Sequence, residues 1–276
     1  MTQRVLVTGA NGFVGRHVVS ALLQRGIDLV LVVRSDREIP DAFINSGSQV
    51  VSTSDLFEED GRWWARTSEG VDTFVHAAWY TNPHDYMTSE QNWHCEAGTV
   101  RIAGALGNSW VRRFVGLGTC LEYRQTGAVL TTETELRPVS PYAKAKTQTY
   151  QRLLPIFTEA NIEFAWCRLF YIYGPGEHES RLVPYLRREI GQGRAAQLQN
   201  PMQVLDFLDV RDVAERIVEV ALSGETGAFN ICSGVGTTVV ELSLRIAQEF
   251  GRPELVLATN PSSPAAGLPI VGKPSL

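Results

Sequence analysis

A tyrosine and a lysine stand four residues apart in the segment Ser140–Lys146, which reads SPYAKAK. Pro141 suits the first turn of a helix and Ser140 can cap it, so Tyr142 and Lys146 are expected on the same helical face. A lysine ammonium stabilises a neighbouring phenolate, and a phenol tuned toward neutral pH can exchange a proton with a carbonyl oxygen. The same pattern also occurs as an ordinary pair on a helix surface, so its meaning depends on the elements around it.

A hydroxyl group precedes this pair at the end of an apolar run, in the segment Gly116–Tyr123 (GLGTCLEY). Thr119 could bind the same oxygen as Tyr142 and stabilise a developing alkoxide, or it could simply bond the backbone at a strand end. Cys120 has no base partnered with it and is not interpreted as a nucleophile. We therefore predict Thr119, Tyr142 and Lys146 as catalytic residues.

A glycine-rich segment, Thr8–Gly15 (TGANGFVG), lies between an apolar run and an amphipathic stretch. This strand, loop and helix context is what a dinucleotide-binding fingerprint requires. Glycines allow the tight turn, the close approach of a pyrophosphate and close helix packing, while the helix N-terminus offers free N–H groups to the anion. A turn without a ligand is the alternative. The predicted cofactor contacts in this loop are Gly9, Asn11, Gly12, Phe13, Val14 and Gly15.

The second predicted strand ends near Arg34, at a position where an acidic residue would favour NAD through the ribose 2′-hydroxyl. A guanidinium instead matches the 2′-phosphate of NADP, so we predict NADP(H) over NAD(H). Asp36, two residues further on, complicates the choice between NADP and NAD. Arg34 could also be a solvated surface charge. Asp55 and Leu56 follow the third strand and are predicted to meet the adenine, although a plain loop carboxylate fits the same spacing.

Short β-branched runs alternate with longer amphipathic stretches in the first part of the chain. The predicted strands are residues 4–8, 28–33, 49–52, 72–77, 113–117 and 164–169, and the predicted helices are residues 13–24, 85–106 and 142–160. Nearly continuous apolar strands separated by helices imply a parallel sheet covered on both faces. The predicted fold class is α/β, with a Rossmann-type doubly wound parallel sheet.

Beyond residue 170 the predicted elements become shorter, and the loops become richer in Gly, Pro and Glu. We therefore divide the chain into an NAD(P)-binding Rossmann domain at residues 1–170 and a smaller C-terminal α/β substrate lobe at residues 171–276. The elements of the two parts are expected to interleave in one structural unit. The tail from Ser262 is rich in Pro, Gly and Ser and is expected to be partly mobile.

Composition excludes several other classes of protein. The 276 residues carry a net charge of −5, which argues against a nucleic-acid partner. No apolar run reaches the roughly 18 residues of a membrane span, and the N-terminus enters a strand at once, leaving no room for a signal peptide. The four cysteines form no CxxC pair, and the five histidines show no zinc-ligand spacing. We expect a cytoplasmic protein with no membrane partner and no metal site.

Seven motifs occur in an order that is typical of one enzyme family. They are TGANGFVG, HAAW at residues 76–79, GTCLEY at 118–123, SPYAKAK, RLFYIYGPG at 168–176, FLDVRDVA at 207–214 and FNICSG at 229–234. Together they resemble the extended short-chain dehydrogenases/reductases of the NAD-dependent epimerase/dehydratase type, which act on nucleotide sugars. The resemblance implies a Rossmann domain, a small substrate lobe and a Thr-Tyr-Lys active site. It also implies a homodimer packed through the helices near residues 85–106 and 142–160.

The resemblance assigns further residues by position. It implies that Ala77 and Ala78 line the cofactor groove, and that Lys146 holds the nicotinamide ribose and tunes Tyr142. Among the substrate contacts, it places Trp79 and Thr81 toward the hexose. Thr119 and Tyr171 complete the predicted substrate-binding set.

The chain also departs from the family pattern. The family often has asparagine where Tyr171 and Cys95 stand, and many members have an arginine toward the substrate diphosphate where Leu205 stands. Dehydratases of the family usually carry Asp-Glu directly after the catalytic hydroxyl, whereas Cys120-Leu121 follow Thr119 here, so dehydration is not expected. Members usually continue with a short C-terminal helix, so we expect further residues to follow in the complete protein.

The expected reaction is NADPH-dependent reduction of the C4 ketone of a nucleoside-diphosphate 4-keto-6-deoxyhexose. The hydride would come from NADPH and the proton from Tyr142. The alternatives are a nucleotide-sugar epimerase with retained NAD(P), a ketoreductase of a non-sugar substrate, and a cofactor-sensing regulator. The intact Thr119, Tyr142 and Lys146 set speaks against the regulator, because a sensor needs no such trio.

Overall fold

The computed structural model describes residues 3–36, 39–107, 109–258 and 267–275. The strands are β1 (Arg4–Thr8), β2 (Asp28–Arg34), β3 (Gln49–Thr53), β4 (Thr73–His76), β5 (Arg113–Thr119), β6 (Glu163–Leu169), β7 (Tyr171–Tyr173), β8 (Ala196–Leu198), β9 (Val204–Asp209), β10 (Gly227–Ile231), β11 (Gly236–Thr238) and β12 (Val256–Ala258). The helices are α1 (Phe13–Gln24), α2 (Asp41–Ile44), α3 (Gly61–Thr67), α4 (Gln91–Leu106), α5 (Pro141–Glu159), α6 (Leu182–Gly191), α7 (Val210–Leu222) and α8 (Val239–Glu249). Short 3-10 turns cover Cys120–Glu122 and Pro253–Leu255. Part of the tail predicted to be mobile lies outside the described residues.

Seven parallel strands form the main sheet, in the order β10-β6-β5-β4-β1-β2-β3. One apolar cluster joins α1 and α7 to one face of this sheet, and a second joins α3, α4 and α5 to the other face. The doubly wound Rossmann-type fold is therefore confirmed. The strand order reverses between β1 and β4, and ligands of such sheets bind in the crevice outside the carboxyl ends at that point.

Residues beyond 170 are shared between the main sheet and smaller units. β7, β9 and β11 form a three-stranded sheet, and β8 pairs with β12. In contrast, β10 returns to the edge of the main sheet beside β6, and α7 joins the apolar cluster of α1. The second half of the chain thus completes the large sheet while it builds the small lobe.

A buried carboxylate ties the small sheet to the segment 270–275. Asp206 on β9 is fully buried and accepts hydrogen bonds from the backbone N–H groups of Ser233 (2.7 Å), Gly234 (2.9 Å) and Gly272 (3.2 Å). The segment also runs beside Leu130, whose N–H donates to the Val271 carbonyl and whose carbonyl accepts from the Lys273 N–H, each at 2.8 Å.

The helix predicted from residue 85 begins later, at Gln91. The segment before it folds into successive turns, because the Asn92 side chain donates to the carbonyls of Tyr86 (2.6 Å) and Ser89 (2.9 Å). The carbonyls of Tyr86 and Ser89 therefore accept from the Asn92 side chain. This turn region carries Tyr86 and Met87 toward the start of α5, where the Tyr142 N–H donates to the Met87 carbonyl at 3.2 Å.

Two glycines of β5 make room for a tryptophan on β6. A methyl group at Gly116 would overlap the indole ring of Trp166, and one at Gly118 would overlap both the indole nitrogen and the Glu122 carboxylate. Trp166 is almost fully buried, so it has no free volume into which to move. The alternating glycines of the GLGT segment thus let the large ring lie across the strand that ends at Thr119.

We expect Gly118→Ala to lower the free energy of unfolding by roughly 1–3 kcal/mol, because the added methyl overpacks a closed core. Gly224→Ala is the matched control, since nothing lies within 4 Å of a methyl group there. The control should change stability by less than about 0.5 kcal/mol. Urea denaturation measures both, and equal stability of the two variants would contradict the packing role of Gly118.

Candidate active site

The predicted catalytic hydroxyl and phenol meet at the carboxyl end of β5. Thr119 is the last residue of that strand, and its side chain lies close enough to the phenol of Tyr142 to lower the pKa of that phenol. Tyr142 is placed by the start of α5, where the Ser140 hydroxyl accepts from the Ala143 N–H at 3.2 Å and Pro141 occupies the first turn. The capped helix start predicted from the sequence is therefore present.

Lys146 lies one turn further along α5, and its side chain is buried. Its Nζ donates to the Leu117 carbonyl at 2.7 Å and lies 3.6 Å from the ring centroid of Trp79. Burial lowers the pKa of the Lys146 ammonium to about 7. The lysine is therefore fixed against the end of β5 by one hydrogen bond and by the rings of Trp79 and, at 5.9 Å, Trp166.

The Tyr142 phenol does not have the lowered pKa that the neighbouring lysine predicts. Burial raises its pKa, Tyr86 and Glu122 raise it further, and the Thr119 side chain lowers it. Burial outweighs the stabilisation of the phenolate, since a buried site penalises the charged form. The phenol is consequently protonated at neutral pH and can act as a proton donor.

A buried ion pair behind Thr119 was missed in the sequence. Glu122 is fully buried, and its carboxylate accepts from the Thr119 N–H and from Arg168 Nε, both at 2.8 Å, and from Trp166 Nε1 at 3.1 Å. Arg168 Nη1 in turn donates to the Tyr123 hydroxyl at 3.0 Å. A Thr-x-x-Glu spacing is the signature of a capping box and could have indicated that Glu122 bonds back to Thr119. This carboxylate positions the end of β5 at Thr119.

The glycine loop has the shape that a pyrophosphate requires. Gly9 has a φ of +65°, and a methyl group on it would lie 2.8 Å from the Ala78 nitrogen. Gly12 begins α1 without a side-chain cap, so the first N–H groups of the helix, at Phe13 and Val14, have no side-chain acceptor. The Asn11 Nδ2 amide is buried and unpartnered. These donors at the start of α1 are of the kind that bind an anion.

A relay of hydrogen bonds holds the end of β4 beside this loop. The Thr8 hydroxyl accepts from the Ala78 N–H (3.3 Å) and lies 2.8 Å from His76 Nδ1, while His76 Nε2 lies 3.0 Å from the Thr99 hydroxyl. Thr99 donates to the Cys95 carbonyl, so His76 must carry its proton on Nε2. Burial lowers the pKa of His76 to about 3, so it is neutral. Ala77 and Ala78 are thereby fixed next to Gly9, as the groove prediction requires.

The other predicted cofactor residues lie at the same edge of the sheet but have partners within the chain. Arg34 ends β2, and its Nε is 2.6 Å from Asp36 Oδ1, with both side chains exposed. Asp55 accepts from the Phe57 N–H at 2.9 Å and pairs with His94 Nε2 at 2.8 Å. Leu56 is partly buried against the adjoining core. Asp36 therefore occupies the guanidinium that is predicted to bind a 2′-phosphate.

The predicted substrate residues are spread over two sides of the crevice. Tyr171 on β7 lines a cavity of about 460 Å³ together with Gln125, Asn200, Gln203, Leu205, Gly267, Leu268 and Ile270. Trp79 covers Lys146 and donates from Nε1 to Asn92 Oδ1 at 2.9 Å, and Thr81 is exposed. Their contact with a hexose stays a prediction. A second cavity of about 630 Å³ adjoins Asn200 and is lined by Leu182 and Tyr185.

All four cysteines are buried and unpaired, and burial raises the pKa of the Cys120 thiol. A thiol so protonated is a poor nucleophile, in agreement with the sequence interpretation. Within the described residues, no group of three His, Cys, Asp or Glu side chains could hold a metal ion. No helix in that part of the chain is long and apolar enough to cross a membrane.

Comparison with known proteins gives a consistent assignment. The model of the NAD dependent epimerase/dehydratase family matches residues 5–232. The dTDP-6-deoxy-L-talose 4-dehydrogenase (NAD(+)) of Aggregatibacter actinomycetemcomitans is 25% identical over 83% of this chain and 84% of its own length. The GDP-6-deoxy-D-mannose reductase of Pseudomonas aeruginosa is 26% identical over 95% of this chain and 84% of its own length.

Solved structures share the fold. The complex of MoeE5 with UDP-glucuronic acid and NAD superposes with a TM-score of 0.81 at 24% identity, covering 99% of this chain and 90% of its own. The UDP-N-acetylglucosamine 4-epimerase from Methanobrevibacter ruminantium M1, in complex with UDP-N-acetylmuramic acid, has a TM-score of 0.85 at 18% identity. The match covers 100% of this chain and 91% of the epimerase.

We expect Glu122→Gln to destabilise the protein by about 3–5 kcal/mol, because it leaves the buried Arg168 guanidinium without a compensating charge. Glu135→Gln is the control: it removes the partner of Arg124 from an exposed pair at 3.0 Å. That change should cost less than about 1 kcal/mol. Chemical denaturation measures the free energy of unfolding of both variants. Similar losses of stability would show that the buried pair contributes no more than the exposed one.

Proposed function

This chain belongs to the NAD dependent epimerase/dehydratase family, as its motifs predicted, and we propose that it is an NADPH-dependent 4-ketoreductase of a nucleoside-diphosphate 4-keto-6-deoxyhexose. The observation that carries the proposal is the convergence of Thr119, Tyr142 and Lys146 beside the glycine loop. The protonated phenol supports reduction, since reduction of a ketone consumes a proton. Relatives named as a reductase and a 4-dehydrogenase of deoxysugar nucleotides support the substrate class.

The proposed chemistry assigns one role to each catalytic side chain. The bound dinucleotide would supply the hydride to the C4 carbon of the substrate. Tyr142 would donate its proton to the C4 oxygen, and the Thr119 hydroxyl would stabilise the charge that develops on that oxygen. Lys146 would hold the nicotinamide ribose through Nζ and stabilise the phenolate that remains.

The residues present fit a dinucleotide. The unpartnered Asn11 amide and the uncapped start of α1 would bind the pyrophosphate. Ala78 lies so close to Gly9 that a side chain there would not fit. Asp55 and Leu56 would meet the adenine. Arg34 supports NADPH, because its guanidinium needs only to leave Asp36 to reach a 2′-phosphate.

The substrate would enter from the side of the two cavities. Tyr171 and Leu205 line the smaller one, so the proposed sugar pocket is more apolar than one with asparagine and arginine at those positions. The proposed substrate contacts are Trp79, Thr81, Thr119 and Tyr171.

A nucleotide-sugar epimerase with retained NAD(P) is the second candidate. The ion pair between Arg34 and Asp36 favours it, since an arginine that is already paired weakens the case for NADPH.

We also propose a cytoplasmic homodimer that contacts through α4 and α5. The outer surface of these helices carries the exposed Leu154 and Gly104, and a small residue lets two helices approach closely. The four unpaired cysteines support a reducing compartment.

We expect the protein to oxidise NADPH when it is mixed with a nucleoside-diphosphate 4-keto-6-deoxyhexose. Tyr142→Phe should lower the rate at least ~100-fold, because the proton donor is lost. Lys146→Met should also lower it strongly, whereas Lys144→Met, an exposed lysine on the same helix, should not. Absorbance of NADPH with a panel of such sugars measures the rate.

Two outcomes of this assay would reject the reductase. Slow conversion of a nucleotide sugar into its epimer without net oxidation of NADPH would identify an epimerase. Oxidation of NADPH that persists in Tyr142→Phe would show that the phenol is not the proton donor.

We expect Arg34→Ala to weaken NADPH binding roughly tenfold to hundredfold, as for loss of a charge-assisted hydrogen bond of about 1.5–3 kcal/mol. Binding of NADH should be unchanged. Asp36→Asn should strengthen NADPH binding, because it frees the guanidinium. Fluorescence titration with both dinucleotides checks this, and a parallel loss for NADH in Arg34→Ala would contradict a contact with the 2′-phosphate.

A further inference from the structure

Glu177 is a half-buried acid with one unsatisfied oxygen, in the loop between β7 and α6. Its Oε2 is buried and has no hydrogen-bond partner among the residues that the structure describes. The Gly174 backbone lies close enough to the same carboxyl group to lower its pKa. The Glu177 N–H itself donates to the Gly174 carbonyl at 3.2 Å, so the backbone around the side chain is fixed. A buried polar atom of this kind is unfavourable unless a ligand or a proton satisfies it.

The loop that carries Glu177 packs directly on the start of α1. His17 Nε2 lies 2.9 Å from the Pro175 carbonyl, and a methyl group at Gly176 would lie 3.0 Å from Arg16 Nη1. Arg16 also donates to the carbonyls of Asn11 (3.0 Å) and Gly12 (3.1 Å). The Arg16 side chain therefore lies between the glycine loop and the loop of Glu177.

Two unsatisfied polar groups thus lie on the two loops on either side of Arg16. One is the Asn11 Nδ2 donor and the other is Glu177 Oε2. A pyrophosphate offers only acceptor oxygens, so it can satisfy the amide directly. It can satisfy the carboxyl group only if that group is protonated, because an ionised carboxylate has no donor and repels the anion.

We infer that Glu177 is a proton-carrying contact for the pyrophosphate of the dinucleotide. Its carboxyl group takes one proton from solvent when the dinucleotide binds, and Oε2 then donates a hydrogen bond to a phosphate oxygen. No bond other than this O–H is made or broken. The inference rests on the proposed binding of a dinucleotide.

The electrostatic surroundings fit this role. Burial raises the pKa of Glu177 to about 7, although Gly174 and the positive charge of Arg181 lower it. The other charged or titratable groups around the loop include Arg16 and His17 on α1, His178 and Glu179 in the loop, His84 with its ring 5.9 Å from that of His178, Arg188 beside the Glu179 carbonyl, and Asp209, which is paired with Arg211. The carboxyl group without a ligand is protonated below about pH 7 and ionised above it. Binding therefore needs an added proton only in the alkaline range.

The test is calorimetric titration with NADH, with NADPH as a second ligand, in pairs of buffers that differ in ionisation enthalpy. At pH 8.5 we expect uptake of about one proton per dinucleotide bound, and at pH 6 almost none. The dissociation constant should rise as the pH rises above 7, by up to about tenfold per pH unit.

Variants identify the group that takes up the proton. Glu177→Gln keeps an N–H donor, so it should bind without proton uptake at every pH and with the affinity that the unmodified protein has at pH 6. The neighbouring Glu179→Gln and the histidine variant His17→Gln should still take up the proton. Thermal denaturation confirms that each variant is folded.

Proton uptake that persists in Glu177→Gln, or that disappears in His17→Gln, would overturn the assignment. Binding of both dinucleotides without uptake at pH 8.5 would overturn this inference and leave the proposed cofactor intact. Failure of both dinucleotides to bind at either pH would overturn the two together.

Discussion

The buried ion pair of Glu122 and Arg168 is the constraint on which the active-site geometry depends. It joins the end of β5 to β6, because the same carboxylate accepts from the Thr119 backbone and from Trp166 and Arg168 on the neighbouring strand. Charges this deeply buried are tolerated only when every lone pair and proton is satisfied. The glycines of β5 are a consequence, since only a strand without side chains there can admit the indole and the carboxylate together.

In front of this ion pair, the reacting groups lie in a site with little fixed charge. Burial disfavours the ammonium of Lys146, the phenolate of Tyr142 and the imidazolium of His76 alike. Charge on the substrate oxygen would therefore be stabilised by oriented O–H dipoles more than by a resident ion. Such preorganised dipoles are effective in a dry site, because they need no reorganisation as charge develops.

The local patterns of the sequence predict the strands, helices and turns well. They predict contacts between side chains on different elements poorly. α1 has the bounds that its apolar spacing predicts, and the loop before it has the expected turn at Gly9. Thr119 and Tyr142 meet as predicted, because a strand end and a capped helix start fix both. The cover of Trp79 over Lys146 and the pairing of Glu122 with Arg168 join residues far apart in the chain, which no local period encodes. The raised pKa of Tyr142 was missed for the same reason, since burial is a property of the assembled fold.

The network behind the end of β5 continues into the segment 270–275. The Tyr123 hydroxyl, which accepts from Arg168, donates to Asn230 at 2.7 Å, and the Asn230 amide donates to the carbonyls of Leu130 and Lys273. Asp206 holds Gly272 from the other side. During synthesis on the ribosome, β1 to β6 emerge long before this segment and before β10 covers the edge of the sheet. A nascent chain thus has its glycine loop, Tyr142 and the residues that bond Glu122 early, while the hydrogen bonds from Asn230 to Lys273 and from Gly272 to Asp206 form only when residues 270–275 have left the ribosome.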